Sequence, residues 1–429
     1  MSATLRTIAL YGVELAAVRL GDAPDDESTR TEATARASLG FLSEPGDGVL
    51  GRLVVALGAV ATLDLVVAGA GVAEVAHALR AAGELDVAGA LDAGEARATR
   101  ALEEGLKRWR PRVDAPAFAR SLAQADRVGA RLLVPGDPEW PVGVDDLGAN
   151  APLGLWVRGR AGALAGGQPA IALVGARAAS GYGQHVTADA SAGLVDRGFA
   201  IVSGGAYGID GTAHRAALAS DGTTVAFLAG GIDRFYPAGH DALLTRIVET
   251  GAVFSEVACG TAPSKWRFLQ RNRLIAAASD ATVVIEAGLR SGALNTATHA
   301  SELGRPLGAV PGPVTSPSSA GCHRLYRERN AQCVVDAAQM AELASGMGFG
   351  LTAQRGGGSV GAPVPAPDPS PEGIRLLDAL STRSARSVDD LARRSGLSTG
   401  MVMSTLAELE VDALVARDLD GHWKQRRRR

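Results

Sequence analysis

Six short apolar runs recur between residues 170 and 312, and most of them end in glycine. They read AIALVGA (170–176), AIVSGGA (200–206), TVAFLAGG (224–231), AVFSEV (252–257), TVVIEAG (282–288) and PLGAVPG (306–312). Stretches of roughly twenty residues with helical apolar spacing separate them. A strand that is apolar throughout is buried on both faces, and such strands alternating with helices form a doubly wound, mostly parallel sheet. The expected fold class is therefore α/β with a Rossmann-like core. Ligands of such sheets bind outside the carboxyl ends of the strands, where these glycines fall.

The rest of the chain reads differently. Its 429 residues exceed one ordinary core, so two or three domains are expected. Residues 1–135, with stretches such as LVVALGAVATLDLVVAG (53–69) and VAEVAHALRAAG (72–83), predict a small helical domain, followed by a turn-rich bridge over 134–152. The core domain is placed at 136–344. Residues 345–370 are rich in Gly, Pro and Ser and read as a flexible linker. Residues 371–429 predict a helix through GIRLLDAL, a second through SVDDLARRSG capped by Ser387, and a third through STGMVMSTLAELE. Strand-like ALVAR and HWKQ follow around a DLDG turn, the order of a winged helix.

Composition narrows the functional classes. Hydrophobic residues make up 46% and charged residues 21%, as in a soluble globular protein. Cys259, Cys322 and Cys333 form no C-x-x-C pair, so neither a disulfide framework nor a thiolate metal site is expected. No eighteen-residue apolar run and no signal-type N-terminus appears, which predicts a cytoplasmic protein without membrane attachment. The first strand turns at GARAASGYG (175–183), which is not G-x-G-x-x-G, and the second ends in Ser203-Gly204-Gly205 without an acid for a ribose. NAD is therefore not expected, and the lack of G-x-x-x-x-G-K-[ST] excludes a P-loop ATPase. No cofactor is expected.

Anion binding is another matter. GARAASGYG, SGGAYGID (203–210) and RSGAL (290–294) are small-residue loops that lead into helices, where backbone N–H groups suit phosphate oxygens. Arg177 adds a guanidinium to the first of them. Residues 265–273, KWRFLQRNR, then place four cations in nine residues, with Trp266 and Phe268 interleaved, in a chain of net charge -3. On a helix Trp266, Leu269 and Arg273 share one stripe, and Lys265, Phe268 and Asn272 another, with Arg271 beside it. Cations for the backbone and rings for the bases are what a single strand of nucleic acid requires. Lys265 and Arg271 are assigned to backbone charge and Phe268 to stacking; Trp266 is left open between groove and core. The excess is local: residues 170–312 hold ten arginines and Lys265 against eleven acids.

VGARAASGYG, VSGGAYGIDGTAH, GGIDRFYP, FSE, FLQRNRLIAAAS, EAGLRSGALNTA and GRPLGAVPG stand in the order seen in the DNA-processing protein A (DprA/Smf) family, which this chain resembles from about Pro138 to Val335. The resemblance implies a single-strand DNA-binding recombination mediator without catalytic activity. Such a protein protects incoming strands in natural transformation, loads the RecA recombinase and forms a homodimer through the Rossmann-like domain. The resemblance also covers the winged helix and a helical N-terminal domain of SAM or helix-hairpin-helix type. It implicates Gly175, Arg177, Lys265, Phe268, Arg271 and Asn272. Ser203, Gly204, Tyr207, Arg267, Arg273, Ser291 and Gly292, from the loops and the basic segment, complete the expected DNA-binding set. Departures from the family pattern are Ala176 for Ser in the first turn and Tyr207 for Arg in the second loop. Gly321-Cys322-His323-Arg324-Leu325 replaces a Gly-x-Asn-x-Leu, and Asn330 replaces a glycine.

His214 reads as a structural hydrogen-bonder rather than a catalyst, and Glu256 and Glu286 as partners of neighbouring loops or arginines, since no metal or nucleophile set accompanies them. An enzyme alternative is a phosphoribohydrolase-like nucleotide-processing protein, although the P-G-G-x-G-T loop of those enzymes is replaced here by Arg290-Ser-Gly-Ala-Leu. The presumed recognition helix of the winged helix carries no Lys or Arg from Thr399 to Ala416, while Glu408, Glu410 and Asp412 are acidic. A partner-binding or auxiliary role is expected of it, rather than groove reading.

Overall fold

The computed structural model describes residues 26–84, 96–165, 167–345, 370–382, 384–411, 414–418 and 422–426. The linker expected at 345–370 lies almost wholly outside the described residues. The chain divides into two compact units, Met1–Ser345 and Gly346–Arg429.

The first unit opens with helices α1 (Glu27–Leu42), α2 (Gly48–Leu57), α3 (Ala59–Val67), α4 (Val72–Ala81), α5 (Ala96–Trp109) and α6 (Ala115–Arg127). Gly58, at φ 81, breaks the LVVALGAVATLDLVV stretch into two helices, because an L side chain rarely adopts that backbone conformation. Leu39, Leu50, Leu63, Leu79, Leu106 and Trp109 form the core of this helical layer. Among the described residues no single helix is long and apolar enough to cross a membrane.

Strands β1 (Arg131–Leu133), β2 (Leu155–Gly159), β3 (Ala170–Val174), β4 (Ala200–Ser203), β5 (Thr224–Leu228), β6 (Ala252–Ser255), β7 (Ala281–Val284), β8 (Leu307–Ala309) and β9 (Gln332–Cys333) make one sheet in the order β1-β2-β6-β5-β4-β3-β7-β8-β9. From β6 to β9 neighbours are parallel; β1 and β2 add an antiparallel margin next to β6. The six apolar runs are β3 to β8, whereas β1, β2 and β9 were not marked by the run pattern. Side chains alternate across each strand. Ile171, Leu173, Ile201 and Val283 pack on one face with Leu194 and Ala213, while Ala172, Val174, Val202 and Phe227 pack on the other with Leu274 and Ile275. Asn330 adopts φ 49, the left-handed conformation open to asparagine.

The helices between the strands are α7 (Gly181–Val195), α8 (Ile209–Ala219), α9 (Asp241–Thr250), α10 (Lys265–Ala277), α11 (Ala293–Glu302), α12 (Ala320–Glu328) and α13 (Ala337–Ser345). The chain moves outward one way through β3, β4, β5 and β6, then returns to β7 on the other side of β3. The topological switch point therefore lies between β3 and β7. Helix α10 makes that return, so its first turn starts at the carboxyl edge of the sheet and its buried half, Leu274–Ala277, crosses the core.

The second unit contains α14 (Pro371–Ala379), α15 (Val388–Ser395), α16 (Thr399–Val411) and an antiparallel ribbon of β10 (Val415–Arg417) with β11 (Trp423–Gln425). The Ser387 hydroxyl accepts from Asp390 N at 3.2 Å, capping α15 as its sequence indicated. Leu376, Leu391, Val402, Leu406 and Trp423 close the core.

Candidate nucleic-acid interface

The first glycine turn follows β3. A Cβ at Gly175 would stand 2.5 Å from Ile209 Cγ1 and 2.9 Å from Glu286 O, so only glycine allows the close packing there. Arg177 projects from the turn and is exposed. The helix that follows does not offer its N-terminus to a ligand. Glu286, buried at the end of β7, accepts from Ser180 N at 2.9 Å and from Ser180 Oγ at 2.5 Å, with Ser318 Oγ at 3.4 Å. A carboxylate of the protein itself thus fills the anion site of α7.

The second loop is neutralised in the same way. Asp210, in the first turn of α8, accepts from Gly204 N at 3.2 Å and Ala206 N at 3.4 Å. Ser203 is buried and donates to Leu173 O at 2.7 Å. Neither Ser203 nor Gly204 is available to a strand, which corrects the expectation drawn from their loop.

In KWRFLQRNR the cations separate into two groups. Ser264 caps α10 through Arg267 N at 3.2 Å, and Lys265 stands exposed in the first turn. Arg267 is bound bidentately by Glu44 of the helical layer, Nε at 3.0 Å and Nη2 at 2.8 Å, and donates to Ala262 O. Arg273 pairs with Glu256 at 2.7 Å, and Glu256 also accepts from Gly46 N. Arg271 is buried, with Nη1 donating to Gly204 O at 2.6 Å and to Phe227 O and Nε donating to Asn272 Oδ1 at 3.2 Å. Burial lowers the Arg271 guanidinium to about 10, opposed by the charge of Asp210; burial likewise pushes the Asp210 carboxyl up, opposed by Arg271. Arg271 and Arg273 are thus structural, and the assignment of Arg271 to strand charge is corrected: its buried guanidinium is turned to internal carbonyls rather than to solvent. Arg267 is largely engaged in the same sense. Asn272 is buried too, donating to Gly292 O and Asn295 Oδ1, both at 3.2 Å. That bond ties α10 to the third loop, whose Ser291 Oγ accepts from Ala293 N at 3.3 Å and whose Gly292 is exposed. Trp266 is half-buried.

What remains at the carboxyl edge is a compact set. Phe268 lies under the Arg177 guanidinium, 4.7 Å from the ring centroid, with Arg271 at 5.6 Å beneath. Tyr236 stands 5.7 Å from the Phe268 ring. Tyr207 is 4.7 Å from His240 in an edge-on contact. A Cβ at Gly208, φ 76, would meet Ala176 O at 2.1 Å, so the first and second loops touch. Lys265 shares the Phe268 side of α10. Tyr236 and His240 escaped the sequence reading: GGIDRFYP marked the loop, but nothing local showed which of its rings reach solvent.

The two glutamates and His214 behave as the sequence indicated. His214 is fully buried, its Nδ1 2.7 Å from Thr224 Oγ1, and burial lowers it to about 3. Among the described residues no group of His, Cys, Asp and Glu could hold a metal ion.

A parallel α/β sheet whose carboxyl edge presents rings flanked by cations, in a chain that also carries a winged helix, defines a class of nucleic-acid-binding α/β protein. Residues 131–345 match the family described as DNA recombination-mediator protein A, and residues 360–421 match the DprA winged helix domain. The putative DNA processing protein DprA of Mycobacterium tuberculosis is 45% identical over 363 residues, 82% of this chain and 90% of that protein. Protein Smf of Escherichia coli is 34% identical over 301 residues, 69% of this chain and 78% of that protein. This chain belongs to the DprA/Smf family. A solved structure of DNA processing protein A from Streptococcus pneumoniae is similar at 31% identity, with a TM-score of 0.47 over 57% of this chain and 87% of that one. Another, from Helicobacter pylori and described for its single-stranded DNA binding mode, is similar at 27% identity, with a TM-score of 0.44 over 48% and 93%.

Proposed function

We propose that this protein binds single-stranded DNA at the carboxyl edge of its parallel sheet and acts as a recombination mediator rather than an enzyme. The observation that carries this reading is the Phe268 ring, set between exposed Arg177 and Tyr236 with Lys265 one turn away. Duplex DNA hides its base faces, so a ring platform of this kind favours unpaired strands. Membership of the DprA/Smf family supports a DNA-processing role in transformation. Within that role we assign protection of incoming strands, loading of a RecA-type recombinase and action as a homodimer in the cytoplasm. The domain scheme we propose keeps the helical layer, the Rossmann-like core and the winged helix distinct in function. The winged helix serves as a partner-binding module, since the exposed side of α16 shows Met403, Glu408 and Glu410 and no cation.

The enzyme alternative would need Glu286 as its strand-end carboxylate, and Ser180 and Ser318 already engage it. Fluorescence anisotropy with single- and double-stranded oligonucleotides of equal length tests the proposal. A salt-sensitive preference for the single strand is expected, and equal affinity overturns it. Acceleration of RecA filament growth on covered single strands tests the loading role. Release of free base from nucleoside monophosphates would replace the proposal with the enzyme reading.

A further inference from the structure

We infer that the cleft selects its strand by the bases more than by phosphate charge, because Tyr207 and Tyr236 join Phe268 as a three-ring stacking platform. The inference rests on the single-strand reading above and deepens it. Much of the charge expected at this edge is held inside the protein. Of the five cations assigned to the site, Arg271 and Arg273 are buried and Arg267 is held by Glu44, which leaves Arg177 and Lys265 exposed, with the exposed Arg215 guanidinium 3.5 Å from His240 Nε2 beside Tyr207. Glu286 and Asp210 also engage backbone N–H groups of the first two loops, at Ser180, Gly204 and Ala206.

Aromatic surface, by contrast, is displayed. Tyr207 and Tyr236 are each 48% exposed. Their placement is built. His240 is buried, its Nδ1 3.0 Å from Gly205 O, and it meets Tyr207 edge-on at 4.7 Å and 70°. A Cβ at Gly239 would come within 2.5 Å of Tyr207 Oη, so a glycine makes the space in which that ring lies. Tyr236 leans on Phe268 at 5.7 Å, and Arg177 covers the same ring at 4.7 Å. Rings held in this way lose little rotamer freedom on binding, and the exposed Tyr207 and Tyr236 each offer a π-face to any base, beside the Phe268 ring that Arg177 covers. Tyr207, and His240 through it, are therefore specificity-determining and positioning residues respectively.

The test uses the full chain and two probes of equal length and charge, a labelled oligo-dT and the same backbone with abasic sites. Oligo-dT is expected to bind at least about tenfold more tightly than the abasic strand, with a salt slope near -1.4 per protomer for two phosphate contacts. Tyr207→Ala and Tyr236→Ala each weaken oligo-dT by about 5- to 100-fold, the range of one base stack, and leave abasic binding unchanged. Tyr207→Phe keeps wild-type affinity, and His240→Ala reproduces the loss for oligo-dT alone. Equal binding of the two probes by the wild-type protein overturns this inference while the single-strand reading stands. Failure to bind either probe overturns both. A Tyr207→Ala variant with unchanged affinity for oligo-dT and an unchanged melting temperature removes Tyr207 from the platform and overturns the three-ring assignment.

Discussion

Replacing Arg271 with methionine separates a structural role from a role in holding the strand. The side chain is 5% exposed and donates to Gly204 O, Phe227 O and Asn272 Oδ1, while its charge faces the Asp210 carboxylate. Methionine fills much of the volume but removes a cation near that carboxylate and the guanidinium donor from two carbonyls. Losing two hydrogen bonds from a charged donor, at about 1.5–2.5 kcal/mol each, costs about 3–5 kcal/mol. An unfolding entropy of about 2.1 cal/mol/K per residue gives roughly 0.7 kcal/mol/K for the 345-residue first unit, so melting should fall by about 4–7 °C. Because Asp210 is already pushed up by burial, losing Arg271 pushes it further. A raised folded pKa means stability gained as pH falls, so the deficit should narrow toward acid pH as Asp210 takes its proton. Scanning calorimetry at several pH values reads this, and anisotropy against oligo-dT over a salt series reads the strand contact. The variant should keep the wild-type salt slope. A melting temperature that stays put, with a slope shallower by about 0.7, would mean that Arg271 faces a phosphate and that this account of the site is wrong.

Lys265→Ala should show the opposite pattern: unchanged melting, weaker oligo-dT binding and a salt slope shallower by about 0.7, measured by the same titrations. Glu44→Gln should lower stability by about 1.5–3 kcal/mol in urea unfolding, because Arg267 and Arg112 both donate to that carboxylate. His214 is held near 3 against 6.5 when unfolded, so the unfolded chain alone takes up its proton as pH falls below 6.5. Stability present above that pH should drop by about 2 kcal/mol at pH 5, and His214→Asn should flatten this part of the pH profile. A chain ending at Ser345 should bind oligo-dT within about twofold of the full protein, since the rings and cations of the site all lie in the first unit; anisotropy again decides.

The parts of this protein that follow from near neighbours in sequence were legible in it. Apolar runs of four to five residues such as AIALV and TVAFL, too short for helices and closed by glycine, read as central parallel strands, and they are β3 and β5. Ser387 caps its helix through the N–H group three residues on. Phe268, Arg177 and Lys265 were marked by residue type and by the helical repeat. The fate of the remaining cations was not legible. Arg267 meets Glu44 across 223 residues, Arg271 meets Gly204 across 67, and Ser180 meets Glu286 across 106. Whether a guanidinium faces water or a carboxylate depends on which loops the strand order brings to the same edge, and periodicity holds no record of that. Sequence alone determined that this edge would carry glycine loops beside a basic, aromatic helix. Only the tertiary structure, by surrounding three of the arginines with internal acceptors and leaving Tyr207 and Tyr236 in solvent, decided which of its cations and rings a strand could meet.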